Sequence, residues 1–216
     1  MPNHPTAGHP GTTFHVVNRA THGQLLFEDF GEYLLFMRLL AWALGRSPID
    51  LFAYCLMPNH WHLLLRPEAS RDLSQFMYDL SKQHAQELRR WRGNLGVGAV
   101  YQGRYRASPV RTETYFYRAA RYVERNPVRA KLSERADGWL WSSASRIGII
   151  QGVRLAEWPE PRPKTWSAFV NEIEAPEDLA LIRKRTRRCE PIDDPEAELG
   201  LSAGAIAVPV SPADEE

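Results

Sequence analysis

The sequence predicts an α+β fold, an antiparallel sheet carrying helices mainly on one face. Three observations lead there. Short segments rich in β-branched and aromatic residues alternate with longer stretches of helical periodicity. Two of the strand-like segments are separated only by a Pro-Asn pair, which reads as a hairpin. The resulting order is strand, helix, two strands, helix, strand, helix, a hairpin set between helical crossovers.

Each element has its own signal. Residues 1–11, MPNHPTAGHPG, are rich in Pro, Gly and His and read as a flexible N-terminus. TTFHVVNR (12–19) has the composition of a strand. Asp29 opens a helical stretch that Gly45 is placed to stop. IDLFAYCLM (49–57) and HWHLLLR (60–66) flank the Pro-Asn turn. Leu73, Phe76, Met77, Leu80, His84, Leu88 and Trp91 recur at helical spacing from about Ser70 to Arg92, and GNLGVG (93–98) breaks that helix. AVYQGRYRASPV (99–110) reads as extended. A third helix runs from about Thr112 to Asn126, where Pro127 bends or ends it. WLWSSA (139–144) is placed to close a domain spanning 12–150. The remainder, 151–216, is a Pro- and acid-rich extension with one amphipathic segment and a tail-like, partly disordered end.

Composition narrows the class. The chain has 216 residues, enough for one sizeable core, and its 44% hydrophobic content is that of a soluble globular protein. No run approaches the roughly 18 apolar residues of a membrane span, and no signal peptide opens the chain. With only Cys55 and Cys189, neither a disulfide framework nor a four-cysteine zinc site can form, which fits a cytoplasmic protein. The net charge of +1 conceals an asymmetry: Lys82–Arg135 holds 13 basic and four acidic residues, whereas Glu157 onward holds seven basic and 14 acidic. A basic surface made mostly of arginine suits phosphate, and an acidic tail follows it.

MPNHWHLLLR (57–66) carries the sharpest chemical signal. Residues i and i+2 of a strand share a face, with α-carbons roughly 6.5 Å apart. His60 and His62 therefore project together, while Trp61, Leu63 and Leu65 face a core. Two imidazoles on one face can hold a divalent cation, although an isolated His-x-His pair is more often an exposed or core pair. Partners for it are offered by ARYVERNPVRA (120–130). Tyr122 and Asn126, four apart, share one face of a helix, and an amide oxygen suits a hard cation. Tyr115, seven residues before Tyr122, shares that face; Tyr117 points elsewhere.

Five blocks, PGTTFHVVNRA, YCLMPNHWHLLLRP, YQGRYRASPV, ARYVERNPVRAKL and WLWSSA, occur in one order over about residues 10–148. Together they resemble the single-tyrosine HUH transposases of bacterial insertion sequences, in particular the REP-associated tyrosine transposases. That resemblance implies a ferredoxin-like (RNA-recognition-motif-like) sheet with His60-Trp61-His62 on a central strand and the tyrosine helix against it. It implies Tyr122 as nucleophile and Asn126 as third metal ligand beside His60 and His62, with Mg2+ or Mn2+ bound. It places Gln102 and Arg104 near the strand crossing the site. It also implies a DNA partner containing palindromic hairpins, bound by a monomer or by a homodimer that exchanges the tyrosine helix.

The implied reaction is metal-assisted nicking and rejoining of single-stranded DNA through a 5′-phosphotyrosine. A phenol needs its proton removed, and His84 and His15 are the candidate bases. Asn18, Arg19, Gln102, Arg104, Arg106, Arg118, Arg121, Arg125 and Arg129 form the expected DNA-binding set, with Tyr101, Tyr105 and tryptophans available for base stacking. Two other readings compete: a non-catalytic RRM-like nucleic-acid-binding module, and a zinc hydrolase using His60, His62 and His84.

Overall fold

The computed structural model describes residues 11–94, 96, 98–145, 152–159 and 161–193. Residues 1–10 of the expected flexible N-terminus (1–11) and the tail-like end lie outside them. Four strands form one antiparallel sheet: β1 (Thr13–Arg19), β2 (Ile49–Met57), β3 (His60–Pro67) and β4 (Arg106–Val110). Their spatial order is β2-β3-β1-β4. The β2–β3 hairpin turns at Pro58-Asn59, with Met57 opposite His60 and Cys55 opposite His62. Strand β3 is central, bonded to β2 on one side and β1 on the other.

Alternation along β3 divides the molecule into two cores. Trp61, Leu63 and Leu65 enter one core, whereas Leu64 and the two histidines face the other side. A register shift between Leu51 and Ala53 in β2 turns the neighbouring Phe52 and Ala53 both toward the second core.

Helices α1 (Phe30–Leu44) and α2 (Ser70–Trp91) cover the first face. The Asp29 side chain caps α1 by accepting from Glu32 N at 2.9 Å. Leu73, Phe76, Met77 and Leu80 of α2 meet Phe36, Met37 and Leu40 of α1. A buried ion pair, Arg92 Nε to Glu32 Oε1 at 2.6 Å, ties the end of α2 to the start of α1. Trp91 is the exception to the expected core stripe. It is 58% exposed, because the helix ends there and its indole lies over Gly31 at the rim.

The second face is also covered. Helix α3 (Glu113–Glu124) lays Phe116, Ala119, Ala120 and Val123 on it. The expected single helix to Asn126 is broken at Arg125 (φ −89°, ψ 0°), and a short turn, α4 (Asn126–Arg129), follows. Proline 127 has no N–H to give to the preceding turn, which accounts for the break. Helices α5 (Trp166–Asn171) and α6 (Pro176–Arg188) complete this layer through Trp166, Val170 and Ile182.

The segment after residue 150 is therefore not a separate appendage. Its described residues enter both cores, Val153 the first and Trp166, Val170, Ile182 and Ile192 the second, and they bond to both sheet edges. Ala156 N bonds Leu51 O along β2, while Ile192 N bonds Pro109 O on β4. Covering an edge this way removes a template for unwanted strand pairing. Among the described residues, no helix is long and apolar enough to cross a membrane.

Candidate active site

His60 and His62 face the layer made by α3 and α6 and line a cavity of about 770 Å³. Strands β1, β3 and β4 supply its floor through Asn18, Arg19, the two histidines and Arg106. The loop before β4 adds Gln102, Gly103 and Arg104, α3 adds Tyr122, and α6 adds Arg183, Thr186 and Arg187. Five arginines and no carboxylate stand among these lining residues, so the cavity attracts anions.

The histidine rings lie 4.9 Å apart, centroid to centroid. In both, Nδ1 is engaged: His60 Nδ1 with Asn59 Oδ1 at 2.7 Å, and His62 Nδ1 with His15 Nε2 at 2.9 Å. His62 Nε2 is buried and has no hydrogen-bond partner among the described residues. Burial, joined by Arg19, brings the pKa of His60 down to about 4. Burial and the neighbouring His60, His15, Arg129 and Arg19 hold His62 well below the usual imidazole range. Both rings are thus neutral at physiological pH, the form that ligates a metal. An engaged Nδ1 with an orphaned Nε2 is the arrangement of a metal-binding histidine, so the pair fits a divalent cation. Among the described residues, no cluster of three or more His, Cys, Asp and Glu side chains is arranged for a metal, so the further ligands these residues leave open are an amide, water or substrate oxygen.

Tyr122 is the tyrosine of α3 that the fold brings to the histidines. Its ring stands edge-on to His62 at 5.8 Å and to His15 at 5.6 Å. Tyr115 and Tyr117 are buried in the second core and do not line the cavity; the Tyr117 hydroxyl donates to Pro161 O. Arg129 lies over the Tyr122 ring, 4.1 Å from its centroid, and donates to Tyr122 O at 2.5 Å.

Several expected site residues are placed otherwise. Asn126 does not line the cavity. Its amide nitrogen donates to Tyr122 O at 3.1 Å and Val123 O at 3.4 Å, taking the place of the N–H that Pro127 lacks. Arg118, Arg121, Arg125 and Arg129 do not form an open basic face, because the extension packs on them. Arg118 pairs with Asp178 at 3.1 Å, and Arg129 with Glu174 at 2.6 Å. Arg121 donates to Glu172 O and stacks on Phe169, while Arg125 donates to Val170 O.

Tyr101 is no stacking platform: its hydroxyl accepts from Trp61 Nε1 and meets His84 Nδ1 at 2.6 Å. Tyr105 is half-buried against the same core. His84, packed on Phe36, lies on the first face, across the sheet from His60 and His62. That position overturns the zinc-hydrolase reading and removes His84 as a base. Arg19, Gln102, Arg104 and Arg106 do line the cavity, whereas Asn18 borders it from β1 with its side chain turned to the first face, donating to Ser81 Oγ on α2 at 3.5 Å.

Arg183, Thr186 and Arg187 were not anticipated. Their spacing of three and four residues puts them on one face of a helix, and that spacing in LIRKRTRR was the available signal. His15 was considered only as a base; the strand register needed to place it beside His62 is not written in either strand alone.

Comparison with known proteins agrees with this architecture. The family described as Transposase IS200 like matches residues 12–126. No curated protein sequence matches the chain. Among solved structures, a REP-associated tyrosine transposase bound to a REP hairpin aligns with TM-score 0.52 and 21% identity. That alignment covers 62% of this chain and 76% of the other, and at such identity the likeness is one of fold.

Proposed function

The chain belongs to the IS200-like transposase family, and from that premise we propose that it nicks and rejoins single-stranded DNA beside palindromic hairpins, using Tyr122 as nucleophile. The observation that carries the proposal is the meeting of Tyr122 with His60 and His62 in one arginine-lined cavity. The hairpin is proposed by analogy with the solved relative, which was bound to one.

The cavity arginines, Arg19, Arg104, Arg106, Arg183 and Arg187, would hold backbone phosphates and position the scissile one. His60 and His62 would bind Mg2+ or Mn2+, which when bound supplies a Lewis acid for the phosphate oxygens. The Tyr122 oxygen attacks phosphorus, loses its proton, and forms a tyrosyl phosphodiester. The bond from phosphorus to the 3′ oxygen breaks, and that oxygen leaves as a 3′-hydroxyl. Because one diester replaces another, attack by a second 3′-hydroxyl reverses the step and joins strands without a nucleotide cofactor. Arg129 holds the Tyr122 ring and carbonyl, so the nucleophile is presented without reordering α3.

The test is a denaturing gel of the protein mixed with labelled, hairpin-bearing single-stranded DNA from its own gene flanks, with manganese or magnesium. A slow-migrating covalent band is expected, lost in Tyr122→Phe, in His60→Ala and on chelation. DNA binding that ignores metal and yields no band under any of these conditions would leave a non-catalytic nucleic-acid-binding module.

A further inference from the structure

In the ladder between β1 and β3, His15 is opposite Leu64 and Val17 is opposite His62. His15 and His62 are thus diagonal neighbours on one face, a separation that long side chains bridge. Their rings are nearly parallel, at 8°, and His15 Nε2 lies 2.9 Å from His62 Nδ1. On its far side, His15 Nδ1 lies 3.2 Å from the hydroxyl of Thr186 on α6. His15 is fully buried.

A neutral imidazole carries one N–H, so the direction of one hydrogen bond fixes the other nitrogen. Were His15 Nε2 the donor, His62 would carry its hydrogen on Nε2, a buried N–H facing no acceptor among the described residues. The lone pair that a cation needs would also be gone. With the opposite direction, His62 Nδ1–H donates to His15 Nε2, His15 Nδ1–H donates to Thr186 Oγ1, and His62 Nε2 is left with a bare lone pair. His60 has the same pattern, since Asn59 Oδ1 can only accept and so receives the Nδ1–H.

We propose that His15 is a positioning residue that fixes the tautomer of His62, and that Thr186, brought by the C-terminal helix, fixes that of His15 in turn. The C-terminal segment then completes the cation site without supplying a ligand. This inference rests on the reading of His60 and His62 as cation ligands. It assigns Thr186 and His15 a role that neither has as a nucleophile, base or ligand. Outer partners of this kind typically set metal affinity by 10- to 100-fold.

Two readouts test it. The first is the two-bond 1H–15N correlation spectrum of the metal-free full chain with 15N-labelled histidine, which distinguishes imidazole tautomers without any substitution. Both His15 and His62 are expected as Nδ1–H; His62 found as Nε2–H would overturn the proposal. The second is calorimetric titration with Mn2+. His15→Phe is expected to weaken binding by about 10- to 100-fold, and His15→Gln, whose amide oxygen can accept, to recover most of it. Thr186→Val should fall between wild type and His15→Phe. Wild-type binding that His60→Ala abolishes but His15→Phe and Thr186→Val leave unchanged would refute the positioning role and keep the cation site. Absence of Mn2+ binding by the wild type would instead refute the cation site itself.

Discussion

Two groups of arginines near Tyr122 have opposite environments, and the salt dependence of DNA binding separates them. Arg183 and Arg187 line the cavity from α6, whereas Arg118 and Arg121 on α3 are engaged by Asp178, Glu172 O and the Phe169 ring. On single-stranded DNA each neutralised phosphate adds about 0.7 to the slope of log affinity against log salt. Removing two contacts with Arg183→Gln/Arg187→Gln should lower that slope by about 1.4. At about 0.15 M salt this corresponds to roughly fourfold per contact, or about 15-fold for the pair. Arg118→Gln/Arg121→Gln should leave the slope unchanged and show its effect in thermal stability. The assay is fluorescence anisotropy of a labelled hairpin-bearing single strand titrated over a series of salt concentrations. A slope that responds to the α3 pair and ignores the α6 pair would refute the assignment.

Acid should destabilise the fold through its histidines. Burial depresses His15 and His84 to about 3 and His60 to about 4, and holds His62 well below its ordinary value. Between the unfolded value near 6.5 and these folded values the unfolded chain binds more protons. Stability is therefore full above about pH 6.5 and falls as pH drops, by about 1.4 kcal/mol per pH unit for each such histidine. The buried Glu124, whose carboxyl is pushed upward, acts in the opposite sense but is one group against four. Urea unfolding at neutral and mildly acid pH measures the slope. Asn126→Ala should cost about 1–2 kcal/mol by uncapping Tyr122 O and Val123 O, read from the same melts. Its Mn2+ affinity should change little; a loss as deep as that of His60→Ala would make Asn126 a ligand. His84→Phe should also destabilise, by about 1–3 kcal/mol, because it removes the partner of the Tyr101 O–H and leaves only the bond from Trp61 Nε1. It should leave the covalent adduct intact.

The strands, the three long helices and the face shared by His60 and His62 were legible because each follows from a local period or turn. Trp61, Leu63 and Leu65 alternate into the first core as the pattern requires. Tyr122 was legible only through its spacing from the Asn-Pro pair and the family resemblance, since Tyr115 occupies the same helical face. What stayed hidden depends on contacts between distant segments. His15 reaches His62 through a strand register, and Thr186 reaches His15 across 171 positions of sequence. Neither distance leaves a local trace. Asn126 shows a further local use that its spacing alone does not reveal: its amide nitrogen caps the carbonyls that proline cannot serve.

The charge asymmetry of the sequence shows why counting residues cannot locate a binding surface. A stretch with excess arginine followed by one with excess acid suggests a working face and a tail. In the fold the two stretches meet, and Glu172, Glu174 and Asp178 bring acid or backbone oxygen onto the arginines of α3 and α4. The pairs of Glu174 with Arg125 and Arg129 are buried, so separating them would leave uncompensated charge and would cost more than they contribute over well-packed apolar residues. Their consequence is positional. Arg129, held by Glu174, is fixed over the Tyr122 ring and on its carbonyl. The same acidic segment continues into a helix whose last turns carry Arg183 and Arg187 into the cavity. The extension thereby withdraws one set of arginines from solvent and presents another beside Tyr122. The net charge of the chain registers neither exchange.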